Sequence, residues 1–207
     1  MSPPFVIGVT GNIACGKSTV LKMLADLGAA TIDADLVYHD LIQPGLPLHR
    51  TLVERFGPGI VAADGTIDRR RLGAMVFADP EALADLDRIT HPPVVAELHR
   101  RIAAASAPVV AVDAVKLVEG RFSQFCNRLW VVVCHPKRQI ERLIKRNGFT
   151  PEEAARRVAA QPPLGEKLTL ADAVIDNSGD LPATEAQVLA AWADGPAAVV
   201  GSRPGGG

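Results

Sequence analysis

Nine consecutive residues, Gly11-Asn12-Ile13-Ala14-Cys15-Gly16-Lys17-Ser18-Thr19, satisfy the pattern G-x-x-x-x-G-K-[ST] without a mismatch. Glycines at such spacing let the backbone turn with its N–H groups aimed inward at a polyphosphate. Lys17 would reach the β- and γ-phosphates, and the Ser18 hydroxyl would sit on Mg²⁺. A helix that begins just after the loop directs its positive end at the same anion. These residue types in this order point to a nucleotide polyphosphate with Mg²⁺.

Two acids stand where such chemistry needs them. Asp33 and Asp113 each close a short apolar run. If both runs are strands of one parallel sheet, both carboxylates lie at strand C-terminal ends, where these sheets bind ligands. Asp33 suits a group that accepts or orients the proton of an attacking hydroxyl. It suits equally the N-cap of the helix that follows, worth about 1 kcal/mol, and one residue can do both. Asp113 suits the acid that holds Mg²⁺ in phosphate-loop proteins, or a polar residue at a strand end.

Arg142 and Arg146 are four apart and share one helix face, beside Lys137, Arg138 and Lys145. With Gly148 close by, they fit a mobile lid that neutralises transferring phosphate, or else a solvated basic face. Arg156 and Arg157 are open to the same two readings. His91, before Pro92, is either a ligand or base or a structural residue at a helix end. No His, Cys and Asp cluster has zinc spacing.

The elements that must position these residues follow from periodicity. Phe5–Val9 is an apolar, β-rich run that enters the loop, and Ser18–Leu27 has helical apolar spacing with Gly28 as its cap. Residues 29–33 form a second strand. Helices follow over 35–43, 47–56 and 68–77, and Asp79 with Pro80 opens another that stops near His91-Pro92-Pro93. A further helix runs to about Ala105. Residues 108–113 and 129–134 are nearly continuous apolar runs, as in strands covered on both faces. A helix over 137–146 comes next, then Thr150-Pro151-Glu152-Glu153, a capping box that starts a helix to Gln161. A strand over 173–175 and a helix over 184–193 close the sequence of elements, and the Gly/Pro-rich residues 195–207 are expected to be disordered. Strands that alternate with helices give an α/β fold with a five-stranded parallel, doubly wound sheet.

The chain has 207 residues, 48% of them hydrophobic, and a formal net charge of −1, so one domain with a sizeable core is expected and a general nucleic-acid or membrane-surface role is not. No run approaches the roughly 20 apolar residues of a membrane span, and no secretion signal precedes the first strand. Cys15, Cys126 and Cys134 have no paired spacing, which suits a reducing, cytoplasmic setting; Cys126 and Cys134 read as small buried hydrophobes.

Taken together, the loop, Ile32-Asp33-Ala34-Asp35, Asp68-Arg69, His91-Pro92, Gln139, Arg142, Arg146, Gln161, Ala171-Asp172 and Asp176-Asn177-Ser178-Gly179 resemble the dephospho-coenzyme A kinase family. The likeness runs in order from about residue 5 to 193. It implies transfer of the ATP γ-phosphoryl to the ribose 3′-hydroxyl of dephospho-coenzyme A, a small-molecule substrate, in the last step of coenzyme A synthesis. It implies a single kinase domain over 1–195, a three-layer phosphate-loop fold with its core in 1–33, 108–139 and 166–195. A helical substrate-binding insertion would occupy 34–107, a lid 140–165, and a flexible tail 196–207. On this resemblance Asp33 faces the 3′-hydroxyl, Asp35, His39 and His91 belong to the substrate site, Arg142 and Arg146 are lid arginines, and Asn177 lies near adenine. Asn12, Ala14 and Cys15 depart from the family's usual loop residues, His39 replaces an arginine, and Lys116, in Val115-Lys116-Leu117-Val118-Glu119, adds a charge near the site.

Another nucleoside- or nucleotide-type kinase on the same core is the nearest alternative. A GTPase switch is disfavoured, because no D-x-x-G follows soon after the loop and no [NT]-K-x-D is present.

Overall fold

The computed structural model describes residues 3–114 and 122–201. The departure at Lys116 lies outside the described residues, as do 202–207. Five strands form one sheet in the order β2-β3-β1-β4-β5: β1 Phe5–Thr10, β2 Ala30–Asp33, β3 Val109–Asp113, β4 Arg128–Val133 and β5 Ala173–Asp176. β1 runs parallel to β3 (Ile7 opposite Ala111) and to β4 (Gly8 opposite Leu129), and β4 parallel to β5. Val109, Val110, Ala111 and Val112 are all fully buried, which is why β3 shows no alternation in sequence. The chain passes from β1 to strands on one side and later to strands on the other. The C-terminal end of β1 is therefore the switch point of the sheet, where such folds place ligands.

Contacts divide the chain into two units, Met1–Ile32 with Ile102–Gly207, and Asp33–Arg101. In the sheet unit, α1 (Lys17–Asp26) lays Val20 and Leu24 on Ile7, Val9, Trp130 and Val132 of the sheet. Full burial of one such side chain contributes about 1.5–3 kcal/mol. The helical unit holds α2 (Ala34–Leu41), α3 (Pro47–Phe56), α4 (Arg69–Ala78) and most of α5 (Pro80–Ala104) around its own core of Ile42, Leu52, Phe56, Ile60, Leu72 and Val76. The sheet unit continues with α6 (Pro136–Asn147), α7 (Pro151–Ala159), α8 (Gly165–Leu170), α9 (Leu181–Ala193) and α10 (Pro196–Gly201). Gly148, left-handed at φ 68, ends α6, and the Thr150–Glu153 capping box starts α7.

Four expectations change. The helix expected to stop near His91 continues through Pro92 and Pro93 as the single α5. Each proline removes only one donor, for the carbonyls of Arg88 and Ile89, and the turns on either side keep theirs. The last long helix begins at Leu181, because the Asp180 carboxylate accepts from Ala183 N at 2.9 Å and caps it. Residues 196–201, expected to be disordered, form α10. Cys126 and Cys134 are half-buried rather than buried; burial still pushes the Cys126 thiol up to about 12. The six-residue α8 had no signal in sequence beyond a weak apolar pattern.

Pro92 is exposed within α5. Pro92→Ala restores the donor to the Arg88 carbonyl at the expense of a freer unfolded chain, a net gain of about 2 kcal/mol. Urea unfolding should show a raised midpoint; an unchanged or lowered midpoint would contradict the assignment of an uninterrupted α5.

Candidate active site

The loop from Gly11 to Gly16 leaves β1 at the switch point. Its turn needs three residues in the left-handed half of backbone space: Gly11 at φ 150, Ala14 at φ 55 and Gly16 at φ 97. A Cβ on Gly11 would run into the Val132 carbonyl, and one on Gly16 into the Asn177 amide nitrogen. Ala14, the only non-glycine at positive φ among the described residues, costs about 1–2 kcal/mol there. That strain is held from outside.

A backbone that turns its N–H groups inward turns its carbonyls outward, and buried carbonyls need donors. Every carbonyl from residue 11 to 15 has one. Gly11 O accepts from Lys17 Nζ at 3.3 Å and Asn12 O from Cys15 N at 3.3 Å. Ile13 O accepts from Gln139 Nε2 at 3.0 Å. Arg142 Nη1 donates to Ala14 O at 3.3 Å and to Cys15 O at 3.0 Å. Asn177 Nδ2 also donates to Cys15 O at 2.9 Å, while its Oδ1 accepts from the Thr184 hydroxyl at 3.0 Å. Arg142 Nη2 closes the frame on Asn177 O at 2.9 Å. The Cys15 side chain is buried, and burial pushes its thiol up against the opposing pull of Lys17.

Beside this frame is a cleft of about 570 Å³, lined by Gly16, Lys17, Ser18, Thr19, Asp113, Arg142, Lys145, Arg146 and Asn177. Lys17 Nζ is 4.0 Å from Asp113 Oδ1, and both side chains are largely buried. Four cationic side chains and one carboxylate line the space, so it favours a polyanion. Gly16 caps α1 without a side-chain acceptor, and Thr19 N donates to Gly16 O at 3.0 Å, so the N–H groups of Lys17 and Ser18 are the first-turn donors for an anion. The Ser18 hydroxyl and the Asp113 carboxylate are hard oxygen ligands on the same cleft, and they fit Mg²⁺.

Arg142, expected as a lid arginine, directs all its described bonds to the loop, to Asn177 and to Cys134 Sγ. Arg146 is exposed, and its Nε donates to Asn147 Oδ1 at 2.9 Å. Asn177 lines the cleft, but its amide is spent on the loop and on Thr184. Asn12 and Ile13 lie within the loop and Thr19 in the first turn of α1; Ile13 N donates to Gln161 Oε1 at 3.2 Å and Asn12 Nδ2 to Pro162 O at 3.4 Å.

Asp33, Asp35, His39 and His91 belong to the helical unit. Asp33 ends β2, and its Oδ1 accepts from Asp35 N at 2.8 Å and Leu36 N at 3.2 Å, so the N-cap reading holds. His39 Nδ1 lies 3.3 Å from Gln43 Nε2 in the last turn of α2. His91 is exposed in the middle of α5. Sequence reasoning assigned no role to Gln139, Gln161 or Thr184. The three-residue spacing of Gln139 and Arg142, which puts both on one face of α6, was the available signal.

Comparison with known proteins agrees with this geometry. The family model for dephospho-CoA kinase (CoaE) matches residues 5–183. A dephospho-CoA kinase of Symbiobacterium thermophilum is 47% identical over 190 residues, covering 90% of this chain and 80% of that one. One from Carboxydothermus hydrogenoformans is 42% identical over 187 residues, covering 89% and 91%. Among solved structures, TT1252 from Thermus thermophilus superposes with a TM-score of 0.81 at 30% identity, covering 93% of this chain and 98% of that one.

The frame gives a direct expectation for Gly16→Ala. The new methyl meets Asn177 Nδ2, and the backbone would have to hold φ 97 with a Cβ present. The variant should fold, because the core of the sheet unit is untouched, yet bind ATP at least about tenfold more weakly, a loss of one bond-sized interaction or more. Calorimetric titration measures it; native affinity would contradict the close approach of Asn177.

Proposed function

The chain belongs to the dephospho-CoA kinase family, and we propose that its cleft around Lys17 carries γ-phosphoryl transfer from ATP to the ribose 3′-hydroxyl of dephospho-coenzyme A. It is a phosphoryl transferase with an alcohol acceptor, acting in coenzyme A biosynthesis. The observation that carries the residue assignment is the meeting of Lys17, Arg142, Lys145 and Arg146 with the first turn of α1 on one cleft.

Phosphoryl transfer passes through a loose transition state with charge spread over the equatorial oxygens, so positioning and electrostatics supply most of the rate. The N–H groups of the loop and of α1 hold the phosphates. Lys17 neutralises the β/γ bridge region. Ser18 and Asp113 would hold Mg²⁺, which would supply further charge neutralisation. Arg146, exposed on α6, is the arginine available to meet the transferring group, with residues 140–165 acting as a lid. Arg142 and Asn177 keep the loop in shape. On the helical unit, Asp33 orients the acceptor hydroxyl and takes its proton, and Asp35, His39 and His91 bind the acceptor.

A coupled assay of ADP release tests the acceptor. Turnover is expected with dephospho-coenzyme A and not with adenosine or common nucleosides. Equal kcat/KM for a nucleoside would replace this reading with that of a general nucleoside kinase.

The role of Asp33 has its own test. Asn can cap α2 as Asp does, but it cannot accept a proton. Asp33→Asn should keep its melting temperature and ATP affinity and lose at least about a hundredfold in kcat, the lower end of what a positioned base contributes. A kcat within threefold of wild type would leave capping as the residue's whole role.

A further inference from the structure

Ala14 is the strained residue of the loop, and two peptide groups flank it. The carbonyl of the first, Ile13 O, accepts from Gln139 Nε2 at 3.0 Å. The carbonyl of the second, Ala14 O, accepts from Arg142 Nη1 at 3.3 Å. Holding both peptide planes fixes φ and ψ of the residue between them. Gln139 and Arg142 stand three apart on α6, so one helix face sets the geometry of Ala14. One peptide further back, Ile13 N donates to Gln161 Oε1 at 3.2 Å. Gln161 lies just past the end of α7, whose opposite end joins α6 through Gly148. The helix pair therefore grips Ile13 from both sides, at the start of α6 and at the exit of α7.

Gln139 is 5% exposed, a buried amide in a helix that is otherwise strongly basic and polar on its outer face. Burial of an amide is tolerated when it is paired, and its partner here is the backbone of the loop. The orientations of both amides follow from chemistry. A backbone N–H offers only a donor and a carbonyl only an acceptor, so Gln139 must present nitrogen and Gln161 must present oxygen.

We propose that Gln139 and Gln161 are positioning residues for phosphoryl transfer, which set the shape of the phosphate loop by clasping Ile13 and so tie that shape to the α6–α7 pair. This rests on the reading above that the loop holds the phosphates of ATP. Neither glutamine lines the cleft, so both act through the loop.

The opposite polarity of the two bonds provides the test. Glu in place of Gln161 still accepts from Ile13 N. Glu in place of Gln139 sets an acceptor against the Ile13 carbonyl. Steady-state kinetics and melting temperatures would be measured for Gln139→Glu, Gln139→Met, Gln161→Glu and Gln161→Met in the full chain. Gln139→Glu, Gln139→Met and Gln161→Met should each lower kcat/KM for ATP by about three- to thirtyfold, the value of one or two hydrogen bonds. Gln161→Glu should stay within about twofold of wild type, since its acceptor survives. The KM for dephospho-coenzyme A should not move in any of them. The proposal fails if Gln139→Glu keeps wild-type kcat/KM, or if Gln161→Glu loses as much as Gln161→Met. It fails also if the variants only melt earlier and have native kinetics while folded. Wild-type protein inert with ATP and dephospho-coenzyme A would overturn the functional reading itself.

Discussion

A loop that offers its N–H groups to an anion must expose its carbonyls on the other side, and those carbonyls must find donors. This constraint organises the sheet unit. The donors come from one residue within the loop and four beyond it: Cys15 on Asn12, Lys17 on Gly11, Gln139 on Ile13, Arg142 on Ala14 and Cys15, and Asn177 on Cys15. Arg142 contributes a planar guanidinium with several donors in a fixed geometry, which a lysine at this site cannot reproduce. Asn177 is in turn held by Thr184 and by Arg142. The elements that follow β4 and β5 serve, among other things, to bring these donors to the loop.

The same arrangement explains the placement of charge. The cations cluster at the end of the sheet where β1, β3 and the start of α1 converge. The chain as a whole is nearly neutral, so the positive potential is local and suits a compact polyanion rather than an extended one. Lys17 and Asp113 are close and little exposed. Arg142 lines the same cleft with a positive charge while its hydrogen bonds reach the loop carbonyls, so one side chain contributes to both structure and potential.

Much of this was legible in the residues. The loop string, the two continuous apolar strands and the capping box at Thr150 each depend on local chemistry, and each appears where the sequence places it. What failed depends on partners distant in sequence. Two consecutive prolines read as a helix stop, yet α5 runs through them, each removing only one intrahelical donor. The bonds of Arg142 to the loop carbonyls were not legible either, because a basic helix face looks the same in sequence whether it faces solvent or carbonyls. The loop contacts of Gln139 and Gln161 span more than a hundred residues, and only the spacing of Gln139 from Arg142 hinted at one of them. Asp180 as the cap of α9 has a local signal, an Asp just before a Leu-Pro start, although the helical apolar spacing is clearest further on.

The central claim is that the loop is shaped by its outer donors, with Arg142 foremost. Hydrogen–deuterium exchange of the nucleotide-free protein tests it most directly, through the amides of residues 11–17 in wild type and in Arg142→Met. If Arg142 holds the loop, these amides should exchange faster in the variant while those of β1 and β4 stay protected as in wild type. Unchanged exchange in the loop, combined with a lowered kcat, would show that Arg142 acts on the transferring phosphate and not on the backbone.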